Sequence, residues 1–173
     1  MAGKGRRRMI SLVAGLAGLL LAGWLGLQYA IARNGPAVVD VVDRVTGSER
    51  QVALVERAAY GDDPQQTVAI YRSGAGQEPL PVILFVHGGS WNSGNPADYG
   101  FVARGLVPEG FVVVLAGYRL HPSVHFPAML EDTAASVAWT RENIARHGGD
   151  PDRIGLMGHS AGAYNVVMTA LDR

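Results

Sequence analysis

Blocks of apolar residues alternate with mixed polar segments along most of the chain, and this pattern predicts strands separated by helices. The runs PVILFV at residues 81–86 and FVVVLA at residues 111–116 are continuous apolar stretches, as expected of strands buried on both faces of a sheet. Residues 52–60 and 67–72 are rich in β-forming residues and are separated by the turn sequence GDDP, which predicts an antiparallel pair. Residues 153–158 predict a further short strand.

Helical segments are predicted between and after these strands. Residues 97–108 have the composition of a short helix, and the apolar positions in residues 129–147 recur at near-helical spacing. This second segment ends at Gly148 and Gly149, which are helix-stop residues, and residues 161–171 predict a last helix. The alternation predicts an α/β fold in which a mostly parallel sheet carries helices on both faces.

The N-terminal part of the chain has a different pattern, that of a single long apolar segment. No charged residue lies between Arg8 and Arg33, and residues 10–32 would form a helix long enough to span the hydrocarbon core of a bilayer. Basic residues cluster in front of this run and predict a cytoplasmic N-terminus, with the rest of the chain outside the cytoplasm. These basic residues are Lys4, Arg6, Arg7 and Arg8.

An uncleaved membrane anchor is the favoured interpretation of residues 10–32, and two others stay open. The sequence AIA at residues 30–32 has the small-x-small form of a signal-peptide cleavage site, which would give a secreted protein, although the apolar run exceeds a usual signal core. A buried core helix is the third interpretation. Residues 33–51 are typical of a linker with weak strand character, so the chain divides into an N-terminal segment (1–32), this linker and a folded domain (52–173).

Composition and charge limit the chemistry that the chain can perform. Its 173 residues, 48% hydrophobic and 17% charged, have the size and composition of about one globular domain. The net charge is zero overall, but from Arg33 onward there are 11 basic and 15 acidic residues, a net charge of −4. This acidic body has no basic patch that would favour a nucleic-acid partner. Cysteine is absent, which excludes disulfide and thiolate chemistry.

Metal and nucleotide sites are not indicated either. No group of histidines has the spacing of metal ligands. The glycine pair in GAG at residues 74–76 lacks the lysine of a phosphate-binding loop. The sequence therefore predicts neither a metal nor an organic cofactor.

The sequence GHSAG at residues 158–162 is the first motif that indicates catalysis, because it lies between a predicted strand and a predicted helix. In a strand–turn–helix context the flanking glycines, Gly158 and Gly162, permit a strained turn and a close helix–strand approach. Such a turn exposes the hydroxyl of Ser160 above the sheet, next to a helix N-terminus that favours negative charge. We interpret it as a nucleophile elbow; the alternative is a helix N-cap serine in a glycine-rich turn.

The sequence HGGSW at residues 87–91 is the second signal, because it directly follows the apolar strand PVILFV. Paired glycines let successive backbone N–H groups point at a ligand, as stabilisation of an oxyanion requires. Gly88 and Gly89 are the predicted donors, with Ser90 as a further candidate, and the N–H of Ala161 completes the set.

Aromatic residues near these motifs are candidates for the wall of a substrate pocket. Ser90, Trp91 and Tyr118 are predicted to line it, although core packing is the alternative for the two aromatic side chains.

Taken in order along the chain, several motifs resemble the α/β-hydrolase serine esterases, in particular the carboxylesterase and hormone-sensitive-lipase-like branch. The resemblance covers residues 52–173 and rests on HGGSW, YRL at residues 118–120, FPAMLED at 126–132, GGDPDRI at 148–154 and GHSAGAYN at 158–165. It implies an α/β-hydrolase fold and hydrolysis of small carboxylic esters without a cofactor. It also implies that Ser160 is the nucleophile, that Gly88, Gly89 and Ala161 are oxyanion donors, that His87 is structural and that Asp132 is not the triad acid.

The chain departs from this family after the nucleophile. In α/β-hydrolases the triad acid and histidine follow the serine, whereas only 13 residues follow Ser160, with Asp172 as their one acid and no histidine. Of the upstream histidines, His147 is interpreted as structural, and His121 and His125 as candidates for the pocket rather than for the base. We therefore expect a C-terminally truncated esterase; a non-catalytic relative with a binding or structural role is the alternative.

Overall fold

The computed structural model describes residues 2–47, 52–74 and 79–171. The chain divides into two compact units, Met1–Val39 and Asp40–Arg173. Helix α1 is assigned to Ala2–Thr46 but has non-helical backbone at Asn34 (φ −158°, ψ 79°). The Asn34 side chain accepts a hydrogen bond from the N–H of Ala37 (3.2 Å), and Pro36 occupies the first turn that follows. Asn34 therefore acts as an N-cap, and the helix restarts after it.

This restart contradicts the weak strand character predicted within residues 33–51, of which 48–51 lie outside the described residues, while their role as a linker stays a prediction. The chain is helical up to Thr46 instead of forming a weak strand. The Asn34 cap and Pro36 favour a helical start despite the β-branched valines that follow. Within the described residues, one helical stretch, Leu12–Thr46, is long and apolar enough to cross a membrane. Large side chains from Leu12 to Ile31 are exposed, which does not favour the core-helix interpretation.

The folded unit is built on a five-stranded sheet with the strand order β1-β2-β4-β3-β5. The strands are β1 (Ala53–Ala59), β2 (Thr67–Arg72), β3 (Leu80–Val86), β4 (Val112–Ala116) and β5 (Gly149–Gly158). β1 and β2 form the predicted antiparallel pair, and β2 is also antiparallel to β4. β4, β3 and β5 are parallel neighbours, so the sheet is mixed, with its parallel part at the site.

Three further helices pack on the two faces of this sheet. They are α2 (Gly100–Leu106), flanked by 3₁₀ turns at Pro96–Tyr99 and Val107–Glu109, α3 (Ala128–Asn143), followed by a turn at Ile144–His147, and α4 (Ala161–Leu171). Leu84 and Val114 face α3 and α4, whereas Phe85 and Leu115 face α2. Alternation of side chains along each strand thus buries β3 and β4 on both faces, as their continuous apolar runs predict.

Parallel pairing brings the two chemical motifs to one edge of the sheet. In the β3–β5 pair, Val86 is the register partner of Gly158. The HGGSW segment follows Val86 directly, and the GHSAG turn begins at Gly158. Both loops therefore leave the carboxyl ends of adjacent strands, where ligands bind in open α/β sheets.

Candidate active site

Ser160 lies in a sharp turn between β5 and α4. Its φ of 52° places a non-glycine residue in the left-handed region, which is strained and concentrates at functional sites. A Cβ on Gly158 would lie 2.5 Å from the carbonyl of Gly162, and a Cβ on Gly162 would collide with the carbonyl oxygen of Val86. Only glycine fits at both positions, and the side chain of Ser160 is exposed. The geometry is that of a nucleophile elbow.

Backbone hydrogen bonds hold this turn against β3. The N–H of His159 donates to the carbonyl of Val86 (3.2 Å), and the N–H of Gly162 donates to the carbonyl of His159 (2.9 Å). The strained serine is therefore fixed relative to the strand that leads into the HGGSW loop.

The loop after β3 has three consecutive residues with positive φ. These values are 126° at Gly89, 52° at Ser90 and 59° at Trp91. The N–H groups of Asn92 and Ser93 both donate to the carbonyl of Gly89, at 3.1 and 3.0 Å, and close the loop. A Cβ on Gly89 would collide with the carbonyl oxygen of Ser93, so this turn requires glycine.

Gly88 contacts the elbow, but its N–H is already bonded. A Cβ at Gly88 would lie 2.7 Å from Nδ1 of His159 and 3.2 Å from Cβ of Ser160. The N–H of Gly88 donates to the hydroxyl of Tyr99 (3.2 Å), which contradicts its prediction as an oxyanion donor. Gly88 allows the loop to approach the serine closely and supplies no free N–H.

Three other N–H groups remain available around Ser160. In the part of the chain that the structure describes, no acceptor is found for the N–H of Gly89, Ser90 or Ala161. Unpaired N–H groups that belong to a rigid turn and a helix start are suited to bind a developing anion. Ser90, the further candidate named from the sequence, thus has an N–H without an acceptor among the described residues, whereas Gly88 does not.

The side chain of His87 forms a hydrogen bond that holds the glycine loop. Its ring is buried, and its Nδ1 lies 2.7 Å from the carbonyl oxygen of Gly88. Because a carbonyl only accepts, Nδ1 holds the proton and donates. Burial lowers the pKa of His87, and the hydrogen bond to Gly88 opposes this shift only in part. His87 is therefore a neutral structural residue.

Tyr118 does not line the pocket, which corrects its predicted position. Its side chain is 1% exposed and stacks on the ring of His87, with a centroid distance of 4.4 Å and an interplanar angle of 14°. The hydroxyl donates to the carbonyl of His87 (3.2 Å). Core packing, the alternative reading for this aromatic residue, is what the structure shows.

A cavity of about 350 Å³ opens beside the loop and has a mainly apolar and aromatic wall. Its lining residues are Ser90, Trp91, His121, His125, Phe126, Met129, Leu130, Tyr164 and Asn165. Ser90 and Trp91 thus lie where they were predicted. The indole N–H of Trp91 donates to Oδ1 of Asn165 (2.9 Å), and its ring contacts Tyr164 edge to face at 5.6 Å.

Sequence reasoning missed two residues that hold the site together, Asn165 and Tyr99. Asn165 is fully buried in α4, accepts the bond from Trp91 and donates to Oγ1 of Thr133 (3.3 Å). An asparagine inside an otherwise apolar helix was a usable signal, since buried polar groups need partners. Tyr99 had no such signal, because its contact with Gly88 depends on how α2 packs.

Asp132 is part of a structural ion pair. Its carboxylate is buried and binds the Arg119 guanidinium (2.6 Å), the Arg119 N–H (2.9 Å) and Nε2 of Gln66 (2.8 Å). Burial acts to raise the pKa of Asp132, but the hydrogen bonds from Arg119 outweigh it and lower the pKa. These contacts agree with a structural role.

The histidines that precede Ser160 show no contact with its hydroxyl. His147 lies 2.7 Å from Oε2 of Glu56, and His121 and His125 face each other at 5.2 Å in the cavity wall. Among the described residues no histidine forms a hydrogen bond with Ser160, and no group of three or more His, Cys, Asp or Glu side chains is arranged to hold a metal.

The sheet is covered by helices on both faces and carries a strained serine beside a glycine loop. This arrangement is that of an α/β-hydrolase, and the similar solved structures are esterases. Residues 68–173 match the BD-FAE family, and the chain belongs to this family.

Known esterases cover most of this chain. Esterase LipC of Mycobacterium tuberculosis is 30% identical over 161 residues, which cover 92% of the chain and 39% of LipC. Carboxylesterase NlhH of the same organism is 39% identical over 108 residues, 61% of the chain and 34% of NlhH. The solved structure of esterase B from Lactobacillus rhamnosis matches 90% of the chain and 49% of its own length, with a TM-score of 0.70 and 28% identity. The chain thus spans less than half of each of these relatives.

Proposed function

We propose that this chain carries the nucleophile and the oxyanion site of a serine carboxylesterase. The observation that carries the proposal is the strained backbone of Ser160, held at the carboxyl end of β5 against the glycine loop that follows β3. Strain of this kind is maintained only where the surrounding structure fixes it, and it exposes the hydroxyl for attack.

The chemistry follows from the positions of these groups. Oγ of Ser160 attacks the carbonyl carbon of an ester while its proton passes to a general base. The tetrahedral oxyanion accepts hydrogen bonds from the N–H groups of Gly89, Ser90 and Ala161, which have no acceptor among the described residues. The C–O bond then breaks, the alcohol leaves with the proton, and water hydrolyses the acyl-enzyme. None of these steps needs a metal or an organic cofactor.

The general base and its acid partner are proposed to lie outside residues 1–173. Two observations support this: the chain spans less than half of each similar esterase, and none of the histidines among the described residues bonds to the Ser160 hydroxyl. In esterases of this fold the acid and the histidine follow the nucleophile along the chain.

The cavity beside the loop is proposed to hold one side of a small ester. Its wall contains Trp91, Phe126, Met129, Leu130 and Tyr164, so it favours an apolar acyl or alcohol group.

The N-terminal helix is proposed to anchor the protein in a membrane, with the hydrolase domain outside the cytoplasm. Its length, its apolar surface and the basic residues before it support this arrangement. Cleavage after residue 32 would instead release the domain as a secreted protein.

The test of the proposed function is hydrolysis of a short-chain nitrophenyl ester by the protein at the length its natural gene encodes. We expect Ser160→Ala to reduce turnover to background, because it removes the hydroxyl that the strained turn after β5 exposes for attack. Ser73→Ala is the matched control, since Ser73 directly follows β2 beside the start of β4, at the edge of the sheet opposite the site. Equal turnover in wild type and Ser160→Ala would refute the proposal.

A further inference from the structure

The hydroxyl of Tyr99 joins the glycine loop to the nucleophile elbow. It lies 3.2 Å from the N of Gly88 on one side and 2.9 Å from Nδ1 of His159 on the other. His159 immediately precedes Ser160, and Gly88 immediately precedes Gly89. One hydroxyl therefore bridges the two segments that carry the oxyanion donors and the nucleophile.

The direction of both hydrogen bonds follows from donor chemistry. The amide of Gly88 only donates, so the Tyr99 oxygen accepts from it. The Tyr99 proton then has one described acceptor, Nδ1 of His159, which must be unprotonated. The chain of bonds thus runs from the Gly88 N–H through Tyr99 to His159, and in neutral His159 the ring proton lies on Nε2.

We propose that Tyr99 and His159 are positioning residues that set the separation between the oxyanion donors and Ser160. This inference rests on the proposed function. The contact between the two segments is tight, since a Cβ at Gly88 would lie within 3.2 Å of Ser160 Cβ. A shift of the loop by a few tenths of an ångström changes how the N–H of Gly89 meets the oxyanion. Transition-state stabilisation is sensitive to displacements of this size.

The packing of Tyr99 is separable from its hydrogen bonds. Its ring lies on Phe85 at a centroid distance of 4.9 Å and belongs to the α2 side of the core. Burial raises the pKa of Tyr99, so its hydroxyl keeps its proton at neutral pH. Phenylalanine at this position would keep the ring and remove only the bridge.

The first experiment compares Tyr99→Phe with Tyr60→Phe in the protein expressed at its natural length. Tyr60 is the matched control, because its hydroxyl also bonds to a backbone group, the carbonyl of Gly117 (2.7 Å), which belongs to neither the glycine loop nor the elbow. We expect Tyr99→Phe to lower kcat about tenfold with KM within about twofold, and Tyr60→Phe to leave both unchanged. Equal kcat in the two variants, or a change in KM alone, would overturn the positioning role.

The second experiment substitutes His159, which is exposed, so that its variants are expected to fold even if Tyr99→Phe does not. His159→Asn keeps an acceptor close to the position of Nδ1 and should retain most of kcat, whereas His159→Leu should lose about as much as Tyr99→Phe. In the double variant the losses should not add, because both changes break one chain of bonds. Full additivity, or equal loss in the Asn and Leu variants, would contradict the coupling.

A third measurement does not depend on activity. Nitrogen-15 NMR of the neutral imidazole should show His159 protonated at Nε2, and this preference should disappear in Tyr99→Phe. A proton on Nδ1 would overturn the assigned direction of the bonds. Ester turnover that survives Ser160→Ala refutes the proposed function, whereas Ser160-dependent turnover unchanged by Tyr99→Phe refutes only the positioning role.

Discussion

Strained backbone at residues 89–91 and at Ser160 builds the site, and it makes Gly89 the residue least tolerant of a side chain. Its φ is 126°, and a Cβ would collide with the carbonyl of Ser93. We expect Gly89→Val to lower kcat by about two orders of magnitude with a smaller effect on KM, because an oxyanion donor is displaced. Gly105→Ala is the control, since a Cβ there meets nothing within 4 Å. Unchanged turnover in Gly89→Val would remove Gly89 from the donor set.

Buried His87 makes stability depend on pH. Burial lowers its pKa below the unfolded value of about 6.5, so the folded state binds fewer protons than the unfolded state below that pH. The contribution of His87 to the free energy of unfolding is complete above about pH 6.5. It is lost as the pH falls below this value, by up to about 1.4 kcal/mol per pH unit. Urea unfolding at pH 7.5, 6.5 and 5.5 measures this slope. His87→Asn, which keeps a donor near Nδ1, should flatten it; identical slopes would contradict a neutral His87.

At the residue scale, sequence reasoning located groups that are defined by neighbours in the chain. Ser160, Gly158 and Gly162 share one turn, and Gly89 lies in one loop, so local motifs were enough to predict these turns, while the catalytic roles stay a prediction. Tyr99 was missed, Tyr118 was misplaced and the Gly88 N–H was misassigned. Each of these depends on contacts between segments that are distant in sequence, and no local pattern encodes such contacts.

At the element scale, strands with continuous apolar runs were predicted well, because burial on both faces requires such runs. Residues up to Thr46 were misread, since Asn34 and Pro36 start a helix whose valines have strand propensity. The length of β5 was also underestimated: it begins at Gly149, in a polar segment that pairs with the start of β3. Capping and tertiary pairing thus override local propensity at the ends of elements.

The ion pair between Asp132 on α3 and Arg119 connects α3 to the segment after β4. We expect Asp132→Asn to reduce the free energy of unfolding by about 3 kcal/mol, because it leaves a charged Arg119 and a buried site without a matching partner. Asp152→Asn, which breaks an exposed pair with Arg141, should cost less than about 0.5 kcal/mol. Chemical denaturation measures both. Similar losses in the two variants would contradict a structural role for Asp132.

At the scale of the whole molecule, membrane attachment through the N-terminal helix is a proposal that fractionation tests. We expect the intact protein to stay with membranes after alkaline carbonate washing and a variant lacking residues 2–32 to be released, because the apolar helix supplies the attachment. N-terminal sequencing separates the two proposals for localisation. A mature protein that begins at Arg33 would establish signal cleavage, and membrane retention of the deletion variant would contradict both.

The whole molecule also has apolar surface beyond the cavity. Within the described residues β5 pairs with β3 alone, and Met157, Val167 and Leu171 are exposed on β5 and α4. LipC and NlhH are each more than twice as long as the region that they share with this chain, and esterase B is about twice as long as its matched region.

The central claim is that Ser160 is the nucleophile, and covalent trapping tests it most directly. Treatment of the protein, at the length its natural gene encodes, with an organophosphonate ester analogue should add one phosphonyl group, and peptide mass spectrometry should locate it on Ser160. Ser160→Ala should show no adduct, whereas Ser73→Ala, at the opposite edge of the sheet, should label as the wild type does. An adduct on another residue, or labelling that persists in Ser160→Ala, would contradict the account.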